Sequence, residues 1–267
     1  MEFRHKTAVV TGAANGVGRA VAIQLCTAGA RVVLWDIDET GLAETTRLCS
    51  HPETVVALRI DLRDTVAIYR EAEVLIGKTN AIHILINNAA VSVESALALC
   101  PAADIDWVLD TNLKAAVHVT RAFLPSLLKS GEAAIMNVSS AAGLSGFPNK
   151  SLYCAAKSGL KGFTESLYTE LCGSNVHVGC VHPGPVATDM LSRSRIYDPA
   201  KAEKMRRYLS RKGDSPEKIA AAILEGIRRR KLEVLASSET RVVWWMKRFF
   251  PNLFVKFTGR FRDRLPS

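Results

Sequence analysis

The sequence predicts an α/β fold: a single doubly wound domain with a parallel sheet and helices on both faces. Three observations carry that prediction. Short β-branched runs alternate with helical periods of roughly 10–20 residues, the pattern of successive βαβ units. The strand candidates are continuously apolar rather than alternating, which suits a sheet covered on both sides. The first strand candidate runs into a glycine-rich turn that leads at once into a helix. At 267 residues, with 48% apolar and 23% charged side chains, the chain is long enough and apolar enough to bury such a core. Gly and Pro, 17 and 10, are too few for a collagen-like or low-complexity chain.

The elements follow in order. Residues 6–11 (KTAVVT) read as a buried strand and 17–28 as a helix stopped by Gly29. Residues 31–35 (RVVLW) are a second strand and 39–49 a second helix; 54–60 and 65–77 repeat the pair; 82–87 (IHILIN) is a fourth strand. Helical stretches near 101–109 and 113–130 precede a fifth strand at 133–138 (AAIMNV). A long helix at 151–173 leads to a sixth strand at 176–181. Residues 190–212 read as helical and mobile. Ser215-Pro216 opens a helix over 215–230, and 232–235 is a seventh strand candidate. The domain is thus expected over 1–238, with a substrate segment at about 189–213 and a tail of different composition at 239–267.

Charge and cysteine usage exclude several classes. The net charge of +9 is unevenly placed: residues 193–267 carry 20 Lys/Arg against 8 Asp/Glu, while 1–192 carry 15 against 18. The basicity therefore needs a local explanation. No pair of the six cysteines has CxxC spacing, and the N-terminus shows no apolar signal region, so free, buried thiols in a cytoplasmic protein are expected. No apolar run reaches the ~18 residues a transmembrane helix needs. The six His are scattered, without HExxH or a Cys/His cluster, so no metal site is expected.

The first strand-to-helix turn reads Thr11-Gly12-Ala13-Ala14-Asn15-Gly16-Val17-Gly18. Glycines there permit a tight turn and a close approach of backbone N–H groups to phosphate oxygens, and the helix N-terminus adds partial positive charge. Gly12, Asn15, Gly16, Val17 and Gly18 are the candidate pyrophosphate contacts. Asp36 closes the second strand 18 residues after Gly18, near the spacing of a carboxylate that binds a ribose 2′-hydroxyl. Its charge would repel a 2′-phosphate, so NAD rather than NADP is the expected cofactor.

Tyr153 and Lys157 stand one helical turn apart on the long helix, on one face. An ammonium beside a phenol favours phenolate, and a base useful near neutrality needs a downward shift of ~3 units from ~10. Ser139 and Ser140 end the fifth strand, at the sheet edge where ligands bind. A serine-hydrolase reading fails, because Phe147 stands where GxSxG around Ser145 needs its second glycine.

Together these residues resemble the short-chain dehydrogenase/reductase family over about residues 5–237. TGAANGVG at 11–18 is similar to its cofactor loop, and Asp61-Leu62 to its adenine-contacting position. Asn87-Asn88-Ala89-Ala90 is similar to its NNAG motif, with Ala90 in place of the glycine. Asn112 matches the Asn that anchors a water near the lysine. Ser140, 13 residues before Tyr153, matches the serine of the site, and His182-Pro183-Gly184-Pro185-Val186-Ala187-Thr188 is similar to the PGxVxT segment beside the nicotinamide. The resemblance implies a Rossmann-like domain with a seven-stranded parallel sheet and hydride transfer between nicotinamide and a carbinol carbon. It makes Tyr153 the acid/base and has Ser140 fix the substrate oxygen. Lys157 would bind the nicotinamide ribose and lower the Tyr153 pKa, and Asn112 would extend a proton relay. Asn88, Ala89, Pro183, Gly184, Val186 and Thr188 join the cofactor contacts, and a homodimer or homotetramer is implied.

The expected substrate is a lipophilic secondary alcohol or ketone of steroid, retinoid or acyl-chain type. Leu144, Phe147, Met190, Leu191 and Tyr197 are apolar candidates nearby, and no arginine interrupts 141–191 to clamp an anion, although Arg193 and Arg195 could swing in. Two rivals stand beside this reading. One is a non-catalytic NAD-binding regulatory protein, opposed by the intact Asn112, Ser140, Tyr153 and Lys157. The other is a nucleic-acid binder, suggested by the basic C-terminal quarter but without a matching motif. The tail, 240–267, has seven Lys/Arg against Asp263 alone, interleaved with Trp244, Trp245, Phe249, Phe250, Leu253, Phe254, Phe257 and Phe261. Pro251 is expected to split it into two helices, the second with Leu253, Phe254, Phe257 and Phe261 on one face. That face either packs on the domain or a partner subunit, where it would cover the substrate pocket, or lies on an anionic membrane surface.

Overall fold

The computed structural model describes residues 1–260 apart from Asn80, Asp189, Leu191 and Ser192, and the side chains of Pro199 and Lys201 are likewise not described. Leu191, Phe261 and Asp263, singled out above, lie outside the described residues, as do Arg262 and Arg264 of the basic tail. The chain begins β1 (Thr7–Thr11), α1 (Gly16–Thr27), β2 (Arg31–Asp36), α2 (Glu39–Leu48), β3 (Val55–Arg59), α3 (Thr65–Lys78) and β4 (Ile84–Asn87). It continues with β5 (Val93–Glu94), α4 (Ala102–Leu109), α5 (Ala115–Lys129), β6 (Ala133–Val138), α6 (Ser151–Glu170) and β7 (Val176–His182). Then come β8 (Arg195–Ile196), α7 (Pro199–Lys212), α8 (Pro216–Arg228), β9 (Glu233–Leu235), α9 (Ser238–Phe249) and α10 (Pro251–Arg260).

Seven strands form one parallel sheet in the order β3-β2-β1-β4-β6-β7-β9. The order reverses between β1 and β4, and the carboxyl ends there make the crevice where this class of sheet takes ligands. The continuous apolar strands have a direct cause in the pleat, which sends successive side chains to opposite faces. Val10, Leu34, Ile86 and Met136 pack against α1, α2 and α8 through Val21, Leu25, Leu42 and Ile223. Val9, Val33, Trp35, Leu85 and Ile135 pack on the other face against α3, α5 and α6 through Ile68, Phe123 and Leu167.

Four differences from the sequence reading have physical reasons. The helices expected at 101–109 and 113–130 are nearly continuous, joined by a π-helical turn at Asp110–Lys114 that contains Asn112. Among the described residues of the stretch expected to be helical at 190–212, Pro199–Lys212 forms an α-helix. Ahead of it, β8 pairs with β5 in a second sheet whose two-residue strands are too short to show a period. All six thiols are free, but Cys100 is half-buried and Cys172, beyond the end of α6, is exposed. Pro251 does split the tail, but α10 turns Phe254 and Thr258 inward and leaves Leu253 and Phe257 outward, so the expected single face is divided.

Candidate active site

The site collects at the carboxyl edge of the sheet. The glycine loop is set by contacts that leave no room for side chains. Gly12 (φ +64°) and Gly16 (φ +53°) adopt the left-handed conformation that favours glycine. A Cβ on Gly18 would lie 2.0 Å from the Gly12 carbonyl oxygen and 2.6 Å from Asn88 Nδ2. A Cβ on Gly16 would meet Thr188 Cγ2 at 3.0 Å, which places the Thr188 end of the PGxVxT segment against this loop. Asn15 occupies the N-cap of α1 without making a side-chain capping bond, and Val17 follows in the first turn. The amide end of the helix is therefore left to other acceptors.

Asn88 and Thr11 hold the loop from beneath. Asn88 Nδ2 donates to the Thr11 and Gly12 carbonyls at 3.0 and 3.1 Å, and Thr11 Oγ1 accepts from the Asn88 and Ala89 amides at 2.9 and 3.1 Å. With its amide spent this way, Asn88 shapes the loop. Asp36 is buried at the end of β2, accepting from the Ala14 amide at 3.0 Å and the Asp38 amide at 3.1 Å. Arg193 reaches it from the far side of the crevice: its guanidinium bonds Asp38 and stands 3.9 Å from Asp36 Oδ1. The Gly41 amide, more than Arg193, holds the Asp38 carboxyl below its ordinary range. Asp61 is lowered too, by its fork with Arg63, and Leu62 beside it is buried.

Ser140, Tyr153 and Lys157 meet where β6 ends and α6 begins. The Tyr153 phenol faces Ser140, whose oxygen accepts from the Ala142 amide at 3.2 Å. Ser139 turns the other way and donates to the Lys157 carbonyl at 2.9 Å. Lys157 is 2% exposed; its Nζ donates to the Val138 carbonyl at 2.8 Å and stands 5.7 Å from the Tyr153 ring centroid. Burial pushes the phenol up to about 12, opposed by Ser140, and brings the ammonium down to about 8. Without a cofactor, desolvation of the phenol outweighs the opposing effect of Ser140.

Asn112 is fully buried, and both ends of its amide are bonded to the Val91 backbone at 2.8 Å. Its side chain is a clamp rather than a relay group. The π turn around it frees main-chain carbonyls from the α-helical ladder, and those are the acceptors it can offer. Pro183 accepts from the Ala141 amide at 2.8 Å, Gly184 packs against Ser237, and Val186 bridges to Asp214. On the substrate side Leu144, Phe147 and Met190 are half-buried. Tyr197 is not an apolar wall: it is exposed, and its hydroxyl donates to Asp104, which also holds Arg195.

Two contributors gave little signal. The sequence offers Arg193 only as an arginine that could swing in on an anionic substrate. His182 is completely buried, with Nδ1 3.2 Å from the Ser140 carbonyl and Nε2 3.5 Å from Glu233. Its position directly before Pro183-Gly184 was the available clue.

Comparisons with known proteins show the family. Residues 6–197 match the model of the short chain dehydrogenase family. The chain is a member of the short-chain dehydrogenase/reductase family. This oxidoreductase is 32% identical to SadH of Mycobacterium tuberculosis over 246 residues, 90% of this chain and 89% of that one. It is 30% identical to the 3-oxoacyl-(acyl-carrier-protein) reductase FabG of Thermotoga maritima over 225 residues, 84% of this chain and 91% of that one. A solved short chain dehydrogenase/reductase from Burkholderia phymatum, in complex with NAD, superposes with a TM-score of 0.87 at 27% identity, over 100% of this chain and 98% of that one.

Proposed function

We propose that this short-chain dehydrogenase/reductase transfers a hydride between NAD(H) and a lipophilic secondary alcohol or ketone. The observation that carries the reading is the meeting of Ser140, Tyr153 and Lys157, its ammonium 5.7 Å from the Tyr153 ring centroid, at the same sheet edge as the glycine cradle. The residues fit a dinucleotide. The cradle excludes side chains at Gly12 and Gly18, the first turn of α1 has no side-chain cap, and a buried carboxylate waits at the end of β2. Asp36 favours a ribose 2′-hydroxyl over a 2′-phosphate; Asp61 and Leu62 would meet the adenine, and Thr188 and Gly184 the nicotinamide end.

When bound, the nicotinamide exchanges the hydride at C4 and, when oxidised, brings a positive charge to the site. Ser140 would hold the substrate oxygen. In reduction Tyr153 gives its proton to that oxygen; in oxidation it takes the proton back. Lys157 keeps two N–H donors beyond the Val138 bond, and these suit ribose hydroxyls. Asn112 acts through its main chain, holding a water that could return protons from Lys157.

A lipophilic substrate is supported by what the arginines do. Arg193 is held on Asp38 and Arg195 on Asp104, so neither stands ready to clamp an anionic substrate. Leu144 and Phe147 follow Ser140 on the same loop, and a relative named for 3-oxoacyl substrates points to the acyl-chain type. The test is NADH formation against a panel of steroid, retinoid and medium-chain secondary alcohols, with small polar alcohols as controls. Turnover of apolar members with NAD is expected. Turnover confined to polar alcohols would overturn the substrate class, and NAD binding without any turnover would favour the regulatory alternative.

A further inference from the structure

We propose that α9 and α10 form a docking surface for an anionic phospholipid bilayer, at the sheet edge where substrate enters. The substrate half of this inference rests on the lipophilic reading above; the docking half does not.

The two helices are tied to the protein by few, definite contacts. Ser237 caps α9 by accepting from the Thr240 amide at 3.2 Å. Trp244 Nε1 donates to Glu233 Oε2 at 2.9 Å, and Phe254 and Thr258 turn α10 inward. These contacts fix which face points out. On α9, Val242, Trp245 and Phe249 fall at i, i+3 and i+7 and are 60%, 57% and 55% exposed. Trp245 and Phe249 stack with centroids 4.9 Å apart, making one flat aromatic plate. Phe250 at the helix junction, and Leu253 and Phe257 on α10, continue the exposed apolar surface. A run of large exposed apolar side chains of this kind is unusual on a protein with nothing to place against it.

The cations decide what the surface fits. Arg241 and Arg248 flank the α9 stripe on one side at helical spacing, and Lys256 and Arg260 flank Leu253 and Phe257 on α10. Glu239 is the one acidic residue in the two helices. Self-pairing through this face would set like charges against each other. A surface that offers apolar depth and a rim of negative charge satisfies both components, and an anionic bilayer is that surface. No described helix is long and apolar enough to cross a membrane, so the binding is peripheral.

The location gives the docking a use. The chain leaves β9 at the carboxyl edge, and α9 starts there with Ser237 against Gly184 of the PGxVxT segment. A bilayer on α9 and α10 therefore lies near the crevice that holds Ser140 and Tyr153. A lipophilic alcohol could pass from lipid to site with little exposure to water.

The test uses the full chain in co-sedimentation with vesicles of phosphatidylcholine alone and with about 30% phosphatidylserine. Binding is expected to the anionic vesicles only, and to fall at least ~10-fold in about 0.5 M salt. A Trp245→Ser/Phe249→Ser variant and an Arg241→Gln/Arg248→Gln variant, each changing exposed side chains, are each expected to lose binding ~10-fold or more while keeping wild-type thermal unfolding and NAD-dependent turnover. Wild-type protein left in the supernatant overturns the docking, as does equal binding by both variants. A concentration-dependent dimer abolished by Trp245→Ser/Phe249→Ser, without vesicle binding, assigns the face to a second copy and also overturns it. Turnover of soluble alcohols in detergent-free buffer is scored separately: activity on apolar alcohols without vesicle binding sinks only the docking, and vesicle binding without that activity sinks only the substrate class.

Discussion

The two ends of the crevice are built from opposite kinds of contact. At the glycine-loop end, backbone meets backbone: Gly12, Gly18, Ala89 and Asn88 are so close that a single Cβ has no place, and Asp36 and Thr11 spend their oxygens on amides. At the substrate end, long side chains on short loops make the contacts, with Arg193 on Asp38, and Arg195 and Tyr197 on Asp104. The first end tolerates almost no substitution, because its shape is made of main chain. The second can change some of its residues while the fold stands, since an exposed pair such as Arg193 on Asp38 contributes little to stability.

Variants can break or sharpen this contrast. The largest effect is expected from Gly18→Ala. The methyl would overlap the Gly12 carbonyl, so dinucleotide affinity should fall at least ~100-fold, and the fold should lose about 1–3 kcal/mol from overpacking. Calorimetric titration with NAD and thermal unfolding check both; near-normal binding would show that the cradle relaxes easily.

Lys157→Met probes the junction between the two ends. Burial lowers the Lys157 pKa to about 8 from 10.5, so below pH 8 the folded protein carries the whole cost of a buried ammonium. Between about 8 and 10.5 the unfolded chain binds more protons than the folded one, and wild-type stability rises with pH. A shift of that size corresponds to ~3 kcal/mol, offset in part by the hydrogen bond lost at Val138. Lys157→Met is therefore expected to be inactive yet about 1–2 kcal/mol more stable than wild type at pH 7, with the gain shrinking through that window. Denaturant melts at pH 7 and pH 10 measure it.

Smaller still is the response of cofactor preference. Asp36→Ala should reduce the NAD-over-NADP ratio in kcat/KM by ~10-fold, about 1.4 kcal/mol. Arg193→Ala should move it the other way, because the guanidinium 3.9 Å from Asp36 tempers the carboxylate's repulsion of a 2′-phosphate. Both moving in one direction would refute this assignment of Arg193. Arg195→Ala, at the outer end, should cost about 1–2 kcal/mol in thermal unfolding, since it leaves the buried Asp104 carboxylate to Tyr197 alone and uncovers the Trp107 ring.

The same contrast explains what was legible in the sequence. The sheet was readable because burial on both faces forces continuous apolar strands, and the glycine loop because only glycine tolerates its backbone. The Tyr153–Lys157 spacing was readable because a helix places i and i+4 together. The π turn around Asn112 left no pattern, since one extra residue in a helical turn does not alter an apolar period visibly. Nor did the Arg193 bridge to Asp38, which joins residues 155 positions apart and needs only reach. How far burial alone raises the phenol was not legible either. Spacing reveals the lysine, but not that the Val138 carbonyl accepts its hydrogen bond or how far the loop after β6 shields the ring. In α10 the sequence period placed Leu253, Phe254 and Phe257 together, and the inward turn of Phe254 divided them.

The central claim is that Tyr153 moves the proton while the glycine-loop end holds the dinucleotide independently. Steady-state turnover of one apolar secondary alcohol with NAD, compared between wild type and Tyr153→Phe alongside NAD affinity, tests it most directly. The expected result is a fall in kcat of at least ~100-fold with NAD affinity changed less than about twofold, because the ring stays and only the phenolic proton is lost. A Tyr153→Phe enzyme that turns over at near-wild-type rates would contradict the account.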